Sequence, residues 1–590
     1  MGVPKLYREI VKVYPYVEQQ DIDNVYDIYF DFNGIIHNAA GKTASERGYN
    51  EKHHDAYEDA ILLNVEERVD QHMQLVNPKK RVGFFIDGSA VKAKMRQQLQ
   101  RRSKGPMEHD EREQLRLKLG YPLEGKQWNR NAITPGTVFM TKINKFLDKL
   151  AKKYSHLTVI ISTSNEPGEG EHKLFNYLKR HRSNLHCDPV DLSKTQKIVI
   201  VGLDADLIML SLVTHFQNIY LMRESTDRFK GAENVFAYAD MALYRSLLIM
   251  KIRNLITSVD ISTLYQQTES KQIIDDYVFM CFLLGNDFIP HSPTLSIGDD
   301  GINKLIELYV TVFNETEQHL VEITDRDNLD KITTKVNMKP VKKLIKLLAL
   351  REDNQMGKVY KKRCKLERYF PRNRTDNPSA LDDAFHRLYY KPVCEIGTEL
   401  NLRMDGTGNW KMKYYNNVLR IDRTIDNMNA ICQNYLEGLS WVLGYYYTES
   451  HSWGWEYRYI AAPPFKDLVI YLNNYSKEND NYPIENQENI RMKPYKPFHQ
   501  LMMVVPKSSA NLLPLNLGKF MTGQTGDLGN FYPTTFKLNY FFHVCYWETE
   551  PIIPPIDEKK VEFVVNNVLL TNEENGRNSF SGMKIIEKKV

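Results

Sequence analysis

The first third of the chain alternates short apolar runs with segments of helical length. Five runs rich in Val, Ile, Phe and Tyr have the length of buried strands: VYDIYFDF (25–32), RVGFFID (81–87), LTVIIS (157–162), KIVIVG (197–202) and NIYLM (218–222). Residues 140–154 predict an amphipathic helix with four apolar side chains on one face, at Ile143, Phe146, Leu147 and Leu150. This alternation predicts an α/β fold with a mostly parallel central sheet flanked by helices.

The pattern changes after residue 323. We expect the α/β region to span 1–323, a basic linker or insertion 324–380, a second α+β region packed on the first 381–570, and a polar tail 571–590. The linker contains KPVKKLIKLLAL (339–350), which can form an amphipathic helix, and its many lysines leave two interpretations open. It is either a basic arm that contacts RNA or a solvated connector. The tail is either loose or a docking strand.

Seven acidic residues follow apolar segments, each near a Gly or Asn that lets the chain turn: Asp31, Asp87, Glu169, Glu171, Asp204, Asp206 and Asp287. One such residue alone would be explained by a helix cap or a surface turn, but seven are not. Ligands of open parallel sheets gather at the carboxyl ends of the strands, where most of these acids fall. Oxygen-only ligand sets suit Mg²⁺ or Mn²⁺, and two such ions about 4 Å apart are the usual machinery for in-line attack on a phosphodiester.

A predicted basic helix directly follows Asp87, at residues 89–104. Four of its side chains lie within about a quarter of the helix circumference: Lys94, Gln98, Arg101 and Arg102. Lysine supplies a point charge, arginine a bidentate fork and glutamine a neutral donor, which together suit a terminal phosphate. The alternative is a solvated basic face. A pocket closed by the N-terminal segment and this helix would admit a monophosphate and exclude a triphosphate.

Aromatic side chains supply a third candidate element. His37 follows Asp31 closely, and Trp453 and Trp455 belong to the run HSWGWEYRY. Rings near the acids could stack on bases without reading sequence, although a single histidine is more often structural.

The overall composition bears on how the protein could bind nucleic acid and on its cellular compartment. Net charge is only +4, so basic residues that bind nucleic acid must act locally. Six scattered cysteines without a CxxC pair favour a reducing, intracellular compartment, with cytoplasm and nucleus both open. No apolar stretch approaches the roughly 20 residues of a membrane span. The N-terminus resembles neither a signal peptide nor a myristoylation site, since Leu6 stands where the latter needs Ser or Thr. Nothing in the sequence requires more than a monomer.

The sequence closely resembles the Xrn family of 5′→3′ exoribonucleases. The matching stretches run from residue 1 to about 550: MGVPKLYR, FDFNGIIHN, IDG..AKMRQQ..RR, ITPGTVFM, EPGEGEHK, GLDADLIML, LLGNDFIPH, GLSWVLGYYY, HSWGWEYRY and KPFHQLMMVVPKSS. The resemblance implies a nuclease core like that of flap endonucleases and PIN domains, with a second region packed against it. It implies processive hydrolysis of 5′-monophosphorylated single-stranded RNA to nucleoside monophosphates, in RNA decay or processing.

The resemblance also assigns roles. The seven acids would bind two Mg²⁺ ions, which Mn²⁺ can replace, and the Lys94 set would bind the 5′-phosphate. His37 would stack on a base together with one tryptophan of the HSWGW run. A decapping or pyrophosphohydrolase partner that prepares 5′ ends is compatible with this chemistry.

The chain departs from the family pattern at several positions. Val91-Lys92 replaces Pro-Arg, Leu99 replaces an arginine, and Ser296 replaces an aspartate that Asp299 or Asp300 could supply instead. Two other functions remain as alternatives at this stage. One is a structure-specific DNA nuclease with the same acidic core, and the other is a non-catalytic RNA-binding protein.

Overall fold

The computed structural model of the protein describes residues 6–182, 195–224, 236–258, 267–373, 375, 377–449, 452–475 and 491–588. Its strands, numbered in chain order, are β1 (Glu18–Gln19), β2 (Val25–Asp31), β3 (Arg81–Phe85), β4 (Thr158–Ser162), β5 (Lys197–Val201), β6 (Ile219–Glu224), β7 (Phe236–Asp240), β8 (Val321–Thr324), β9 (Thr333–Val336), β10 (Lys537–Asn539), β11 (Glu550–Ile552) and β12 (Lys584–Ile586). The pairs β8–β9 and β10–β11 form two small antiparallel ribbons.

One large sheet organises the N-terminal half. Among the described residues it has eight strands, in the spatial order β1-β7-β6-β5-β2-β3-β4-β12. The five central strands, β6 to β4 in that order, are parallel to one another and coincide with the five strands predicted from the sequence. The predicted fold class, with a mostly parallel central sheet, is therefore confirmed. The outer strands β1, β7 and β12 are antiparallel to their neighbours.

Helices cover the sheet and form most of the second half. Their bounds are Leu6–Val13, Phe32–Glu46, His54–Val76, Lys92–Leu119, Val138–Lys153, Gly170–Arg180, Asp206–Thr214, Met241–Arg253, Gln267–Phe282, Gly301–Thr316, Met338–Arg368, Ala380–Tyr389, Lys391–Cys394, Gly397–Asn401, Trp410–Tyr414, Ile425–Tyr447, Phe465–Tyr475, Pro497–Val504, Leu515–Thr522, Glu558–Asn567 and Asn572–Arg577. Within the described ranges, every helix is too short or too polar to span a lipid bilayer.

Alternating side chains of the central strands supply two cores. Ile28 and Phe30 of β2 point into a core shared with the helices between residues 32 and 153. Tyr29, between them, points into the opposite core, because successive side chains of a strand face opposite sides of the sheet. That second core continues without interruption into the helices of residues 338–475. The two halves of the chain therefore share one apolar interior.

Three helices contribute side chains to the region where the parallel strands end. The basic helix is Lys92–Leu119, the glutamate helix is Gly170–Arg180, and the tyrosine helix is Ile425–Tyr447. Thr424 caps the tyrosine helix, since its hydroxyl accepts from the backbone N–H of Asn427 at 3.2 Å. The basic helix begins five residues after Asp87, close to the predicted start.

The predicted linker contains β9 and the linker helix, Met338–Arg368, which includes the amphipathic segment expected at 339–350. Its apolar face, with Leu344 and Ile345, is buried, and its opposite face exposes lysines. The polar tail provides β12, which pairs with β4 at the edge of the large sheet. Residues 584–586 of the tail therefore dock as a strand, which is one of the two interpretations of its sequence.

Candidate active site

The structure brings all seven acids together at the carboxyl end of the parallel sheet. Asp31 is the last residue of β2, Asp87 follows β3, and Asp204 follows β5. Glu169 and Glu171 flank the first residue of the glutamate helix, Asp206 begins the helix Asp206–Thr214, and Asp287 follows the helix Gln267–Phe282. Mutual electrostatic interactions connect the members into a single cluster.

Three of these acids meet the geometric requirement of a metal site. One carboxylate oxygen from each of Asp31, Glu171 and Asp204 lies within 4.8 Å of the other two. The Oε2 atom of Glu171 is buried and has no hydrogen-bond partner among the described residues, which is costly for a carboxylate unless a cation lies nearby. The donor set consists only of carboxylate oxygens, which hard divalent cations such as Mg²⁺ and Mn²⁺ prefer. The residues present therefore fit the metals that the sequence predicts.

Burial and mutual repulsion disfavour the ionised acids when no metal is bound. Burial first, and then the charges of Asp87 and Asp204, hold the pKa of Asp31 well above its usual value. Burial and Asp206 do the same for the pKa of Glu171. Burial, opposed in part by the hydroxyl of Tyr446, raises the pKa of Asp206 to about 6. A site with this excess of negative charge has a strong electrostatic preference for cations.

Two glycines allow the acidic segments to approach this closely. A Cβ atom on Gly170, between the two glutamates, would lie 2.7 Å from the carbonyl oxygen of Phe85 and 3.2 Å from Oδ1 of Asp31. A Cβ on Gly88 would lie 1.7 Å from the carbonyl oxygen of Glu166. The backbone N–H of Gly170 instead donates to Oδ1 of Asp87 at 2.7 Å. The glycines in the motifs IDG and EGE are thus steric requirements of the cluster.

Among the described residues, Lys94 is a cation that lies in direct contact with two of the acids. Its Nζ lies 2.5 Å from Oε2 of Glu169 and 2.5 Å from Oδ2 of Asp287. Gln97 also donates to Oδ1 of Asp287, at 2.8 Å. Although burial raises the pKa of Asp287, the charge of Lys94 outweighs it and the pKa is lowered. Lys94 thus compensates two of the seven acids.

The other members of the predicted phosphate pocket lie further along the basic helix. Gln98 is buried and accepts from Nε2 of Gln500 at 3.3 Å, whereas Arg101 is exposed. Burial, followed by repulsion from Arg101, lowers the pKa of Arg102 to about 9. Nη1 of Arg102 is buried without a hydrogen-bond partner. An unsatisfied guanidinium nitrogen is suited to receive an anion.

The predicted aromatic residues differ in their surroundings. His37 is exposed, yet desolvation by the surrounding protein, followed by the charges of Arg101 and Arg102, lowers its pKa to about 4. Its imidazole is therefore neutral at physiological pH. Trp455 stacks on Trp441, with ring centroids 4.7 Å apart, and its indole N–H is buried. Trp453 is only partly buried, and its carbonyl oxygen accepts from the N–H of Lys92 at 2.9 Å.

Two tyrosines of the site were not predicted from the sequence. The hydroxyl of Tyr445 donates to Oε1 of Glu169 at 2.7 Å, and that of Tyr446 donates to Oδ1 of Asp206 at 2.6 Å. Both come from the end of the tyrosine helix. The run YYY provides a signal that could have identified them, because three adjacent buried tyrosines on a helix point in different directions and each hydroxyl needs its own partner.

The departures from the family pattern have local structural consequences. Lys92 forms ion pairs with Glu456 at 3.1 Å and Glu558 at 3.0 Å, so its charge is compensated away from the acids. Leu99 is buried in the basic helix. Ser296 donates to Oδ2 of Asp299 at 3.1 Å, and Asp299 also pairs with Lys362. The start of the predicted N-terminal wall of the phosphate pocket, residues 1–5, lies outside the described residues.

Comparison with known proteins identifies the family of the chain. Residues 1–225 match the family model described as the XRN 5′-3′ exonuclease N-terminus, and residues 267–390 and 397–589 match the model described as the Xrn1 helical domain. The chain is 30% identical to human 5′-3′ exoribonuclease 1 over 98% of its own length and 35% of that protein. It is 28% identical to chicken 5′-3′ exoribonuclease 2, over 99% of its own length and 72% of that protein.

A yeast relative also matches nearly the whole chain. Saccharomyces cerevisiae 5′-3′ exoribonuclease 1 is 25% identical over 98% of this chain and 44% of the yeast protein. The chain thus spans about a third of the human relative, less than half of the yeast relative and somewhat under three quarters of the chicken relative.

Proposed function

This chain belongs to the Xrn family of 5′→3′ exonucleases, and from that premise we propose that it is a processive 5′→3′ exoribonuclease. Its substrate is single-stranded RNA with a 5′-monophosphate, and its products are nucleoside 5′-monophosphates. The observation that carries this proposal is the convergence of seven carboxylates, from both family-matched regions, on one sheet edge next to a basic helix.

The acids are the proposed ligands of two divalent metal ions, Mg²⁺ or Mn²⁺ in its place. Asp31, Glu171 and Asp204 are the proposed core of one site, and Asp87, Glu169, Asp206 and Asp287 complete the set. When bound, such metals activate the attacking water and stabilise the charge on the phosphate and the leaving oxygen. The repulsion that raises the pKa of Asp31 and Glu171 supports this assignment, because bound cations remove it.

The basic helix selects the 5′ end. Arg102 has an unsatisfied, buried guanidinium nitrogen, and Arg101 adds a second charge beside it. A terminal monophosphate carries more charge than an internal diester, so a compact pocket of Gln98, Arg101 and Arg102 favours a chain end over an internal position. Lys94, one turn before Gln98 on the same helix, contacts Glu169 and Asp287, so the start of the basic helix lies against the acids.

Aromatic stacking holds the terminal nucleotide without reading its base. His37 is the first proposed platform, because its ring is neutral, exposed and close to Arg101 and Arg102. Trp453 is the preferred second platform, because its carbonyl oxygen accepts from the N–H of Lys92 and the residue therefore lies at the start of the basic helix. Sequence-independent stacking of this kind suits an enzyme that removes every nucleotide in turn.

The assignment is tested with one single-stranded RNA that bears a 5′-monophosphate, a 5′-hydroxyl or a 5′-triphosphate. Each is incubated with Mg²⁺, with and without EDTA, and the products are resolved by length. We expect mononucleotides from the monophosphate end only, and only with metal. A 5′-end-processing partner, such as a decapping enzyme or pyrophosphohydrolase, would then supply the substrate.

Three other outcomes would contradict the proposed function. Internal cuts, or rapid cleavage of flapped DNA, would favour a structure-specific nuclease in which the basic helix contacts the backbone generally. Binding of RNA without any turnover would favour a non-catalytic RNA-binding protein. Because all seven acids come from one chain, the proposed active site needs no residue from a second subunit.

A further inference from the structure

We propose that Tyr445 and Tyr446 are positioning residues for the divalent metals, which they serve by fixing the orientation of Glu169 and Asp206. The inference rests on the proposed function and deepens it. It means that a helix of the second region orients two proposed metal ligands of the N-terminal region. Neither tyrosine needs to contact RNA or a metal for this role.

The hydrogen bonds themselves are short and buried. Tyr445 donates to Oε1 of Glu169 at 2.7 Å, and Tyr446 donates to Oδ1 of Asp206 at 2.6 Å. Both tyrosines and both acids are at most 5% exposed. A hydroxyl bound to one oxygen of a carboxylate sets the rotation of that group, and therefore the direction in which its other oxygen points.

The tyrosine rings are held rigidly enough to act in this way. The ring of Tyr445 stacks on Trp441, with centroids 5.1 Å apart and planes at 14°, and its centroid lies 4.0 Å from that of His172. The ring of Tyr446 packs against Phe282 at 5.2 Å, just before the segment that leads to Asp287. Rings fixed on several sides place their hydroxyls within a narrow range.

The tyrosine helix is also fastened to the glutamate helix at a second point. Lys179, near the end of the glutamate helix, donates from Nζ to the carbonyl oxygens of Tyr446 and Tyr447, at 3.0 and 3.3 Å. Glu169 caps the other end of that same helix and accepts from Tyr445. The last turn of the tyrosine helix therefore contacts both ends of the glutamate helix, through the hydroxyl of Tyr445 at one end and the carbonyl oxygens of Tyr446 and Tyr447 at the other.

The third tyrosine of the run provides a matched control within the protein. Tyr447 donates to Oδ1 of Asp275 at 2.6 Å and is as deeply buried as its neighbours. Asp275 also binds His215 and Arg326, and it is not one of the seven acids. Replacing Tyr447 with Phe removes an equivalent buried hydrogen bond from the same helix without touching a proposed metal ligand.

The experiment measures Mn²⁺ binding without RNA, by isothermal titration calorimetry on the full chain. The variants are Tyr445→Phe, Tyr446→Phe and Tyr447→Phe, with Asp206→Asn as the reference for a lost ligand. We expect Tyr445→Phe and Tyr446→Phe to weaken Mn²⁺ binding by about 10-fold or more, as removal of a hydrogen-bond partner of a metal ligand commonly does. Tyr447→Phe should stay within about twofold of the wild type on the same grounds.

RNA hydrolysis provides a second readout. In Tyr446→Phe the Mg²⁺ concentration for half-maximal rate should rise, while in Tyr447→Phe it should stay near that of the wild type. Melting temperatures of the three variants, measured without metal, show whether each still folds.

The outcomes separate this inference from the proposed function. If all three variants bind Mn²⁺ equally, or all weaken equally, the tyrosines have only a structural role and the inference is wrong. If the wild type itself binds no Mn²⁺, or Asp206→Asn binds it unchanged, the metal assignment of the proposed function fails instead.

Discussion

The hydroxyl of Tyr446 lies 2.6 Å from Oδ1 of Asp206, so a helix of the second region ends against an acid of the N-terminal sheet. The same helix reaches Glu169 through Tyr445. The candidate active site is thus built from two parts of the chain that are far apart in sequence. A fragment containing only the large sheet would hold six of the seven acids without the hydroxyls that orient two of them.

Replacing Asp206 with Asn should abolish RNA hydrolysis. The substitution keeps the size of the side chain but removes the charge of a buried acid. Loss of a residue that hydrogen-bonds to a metal ligand reduces activity by up to about 100-fold, and loss of a ligand itself should cost more. RNA hydrolysis at pH 7.5 should therefore fall by more than about 100-fold. RNA affinity, measured by fluorescence anisotropy with EDTA, should remain within a few fold. Turnover at the wild-type rate would remove Asp206 from the metal site.

Replacing Arg102 with Ala should reduce discrimination at the 5′ end. A charge-assisted hydrogen bond contributes about 1.5–3 kcal/mol, so the rate on monophosphorylated RNA should fall by about 10- to 100-fold. The rate on 5′-hydroxyl RNA should change much less. The control is Arg112→Ala, on the same helix about 15 Å further along, where the guanidinium packs over Phe385. Equal losses on both RNA ends would instead assign Arg102 to general backbone contact.

His319 should make stability depend on pH in the alkaline range. Burial alone would lower the pKa of His319, but hydrogen bonds to Asp276 and Glu269 raise it to about 10. The stabilisation from the imidazolium is complete below its unfolded pKa of about 6.5 and is lost as the pH rises towards 10. Burial raises the pKa of Asp276 even beside His319, so the net gain is limited, about 1–3 kcal/mol.

This dependence can be measured by melting the wild type and His319→Gln between pH 6.5 and 9.5. The wild type should melt higher at pH 6.5, and the difference should shrink steadily as the pH rises. A difference that is constant over this range would mean that His319 stays neutral in the folded protein.

The exposed face of the linker helix distinguishes the two interpretations of the basic segment. Lys358, Lys361 and Lys365 point to solvent, while Lys362 is paired with Asp299 at 2.6 Å. We expect the triple replacement of the three solvent-facing lysines by Ala to change RNA affinity less than about twofold, as for a solvated connector. If the helix is instead an RNA-contacting arm, the slope of log affinity against log salt should decrease by about 2.

Much of the N-terminal half could be predicted because its signals are local. The five apolar runs give the parallel strands directly, and their order along the chain with intervening helices gives the fold class. The acids could be gathered because parallel strands end at one edge. Asp31 and Asp204, distant in sequence, follow neighbouring strands of the sheet for this reason.

Contacts between the two halves could not be predicted in the same way. Nothing in the pattern of the tyrosine helix indicates which carboxylate each hydroxyl meets, because that depends on how two distant segments pack. The contacts of Lys94 could not be predicted either. The periodicity of the helix places Lys94 beside Gln98, but it does not show that Lys94 contacts Glu169 and Asp287. Buried polar groups of this kind need hydrogen-bond partners, but only the tertiary structure shows which residues those partners are.

The pairing of β12 with β4 has a consequence for synthesis on the ribosome. Ile585 lies opposite Ile160, although the two are separated by roughly 420 residues of chain. Contacts of such long sequence separation form late and slowly, because a very large loop must close first. The outer edge of β4 therefore has no β12 to pair with until residues 584–586 have been made, so a ribosome-bound chain that stops short of them exposes an unpaired strand edge.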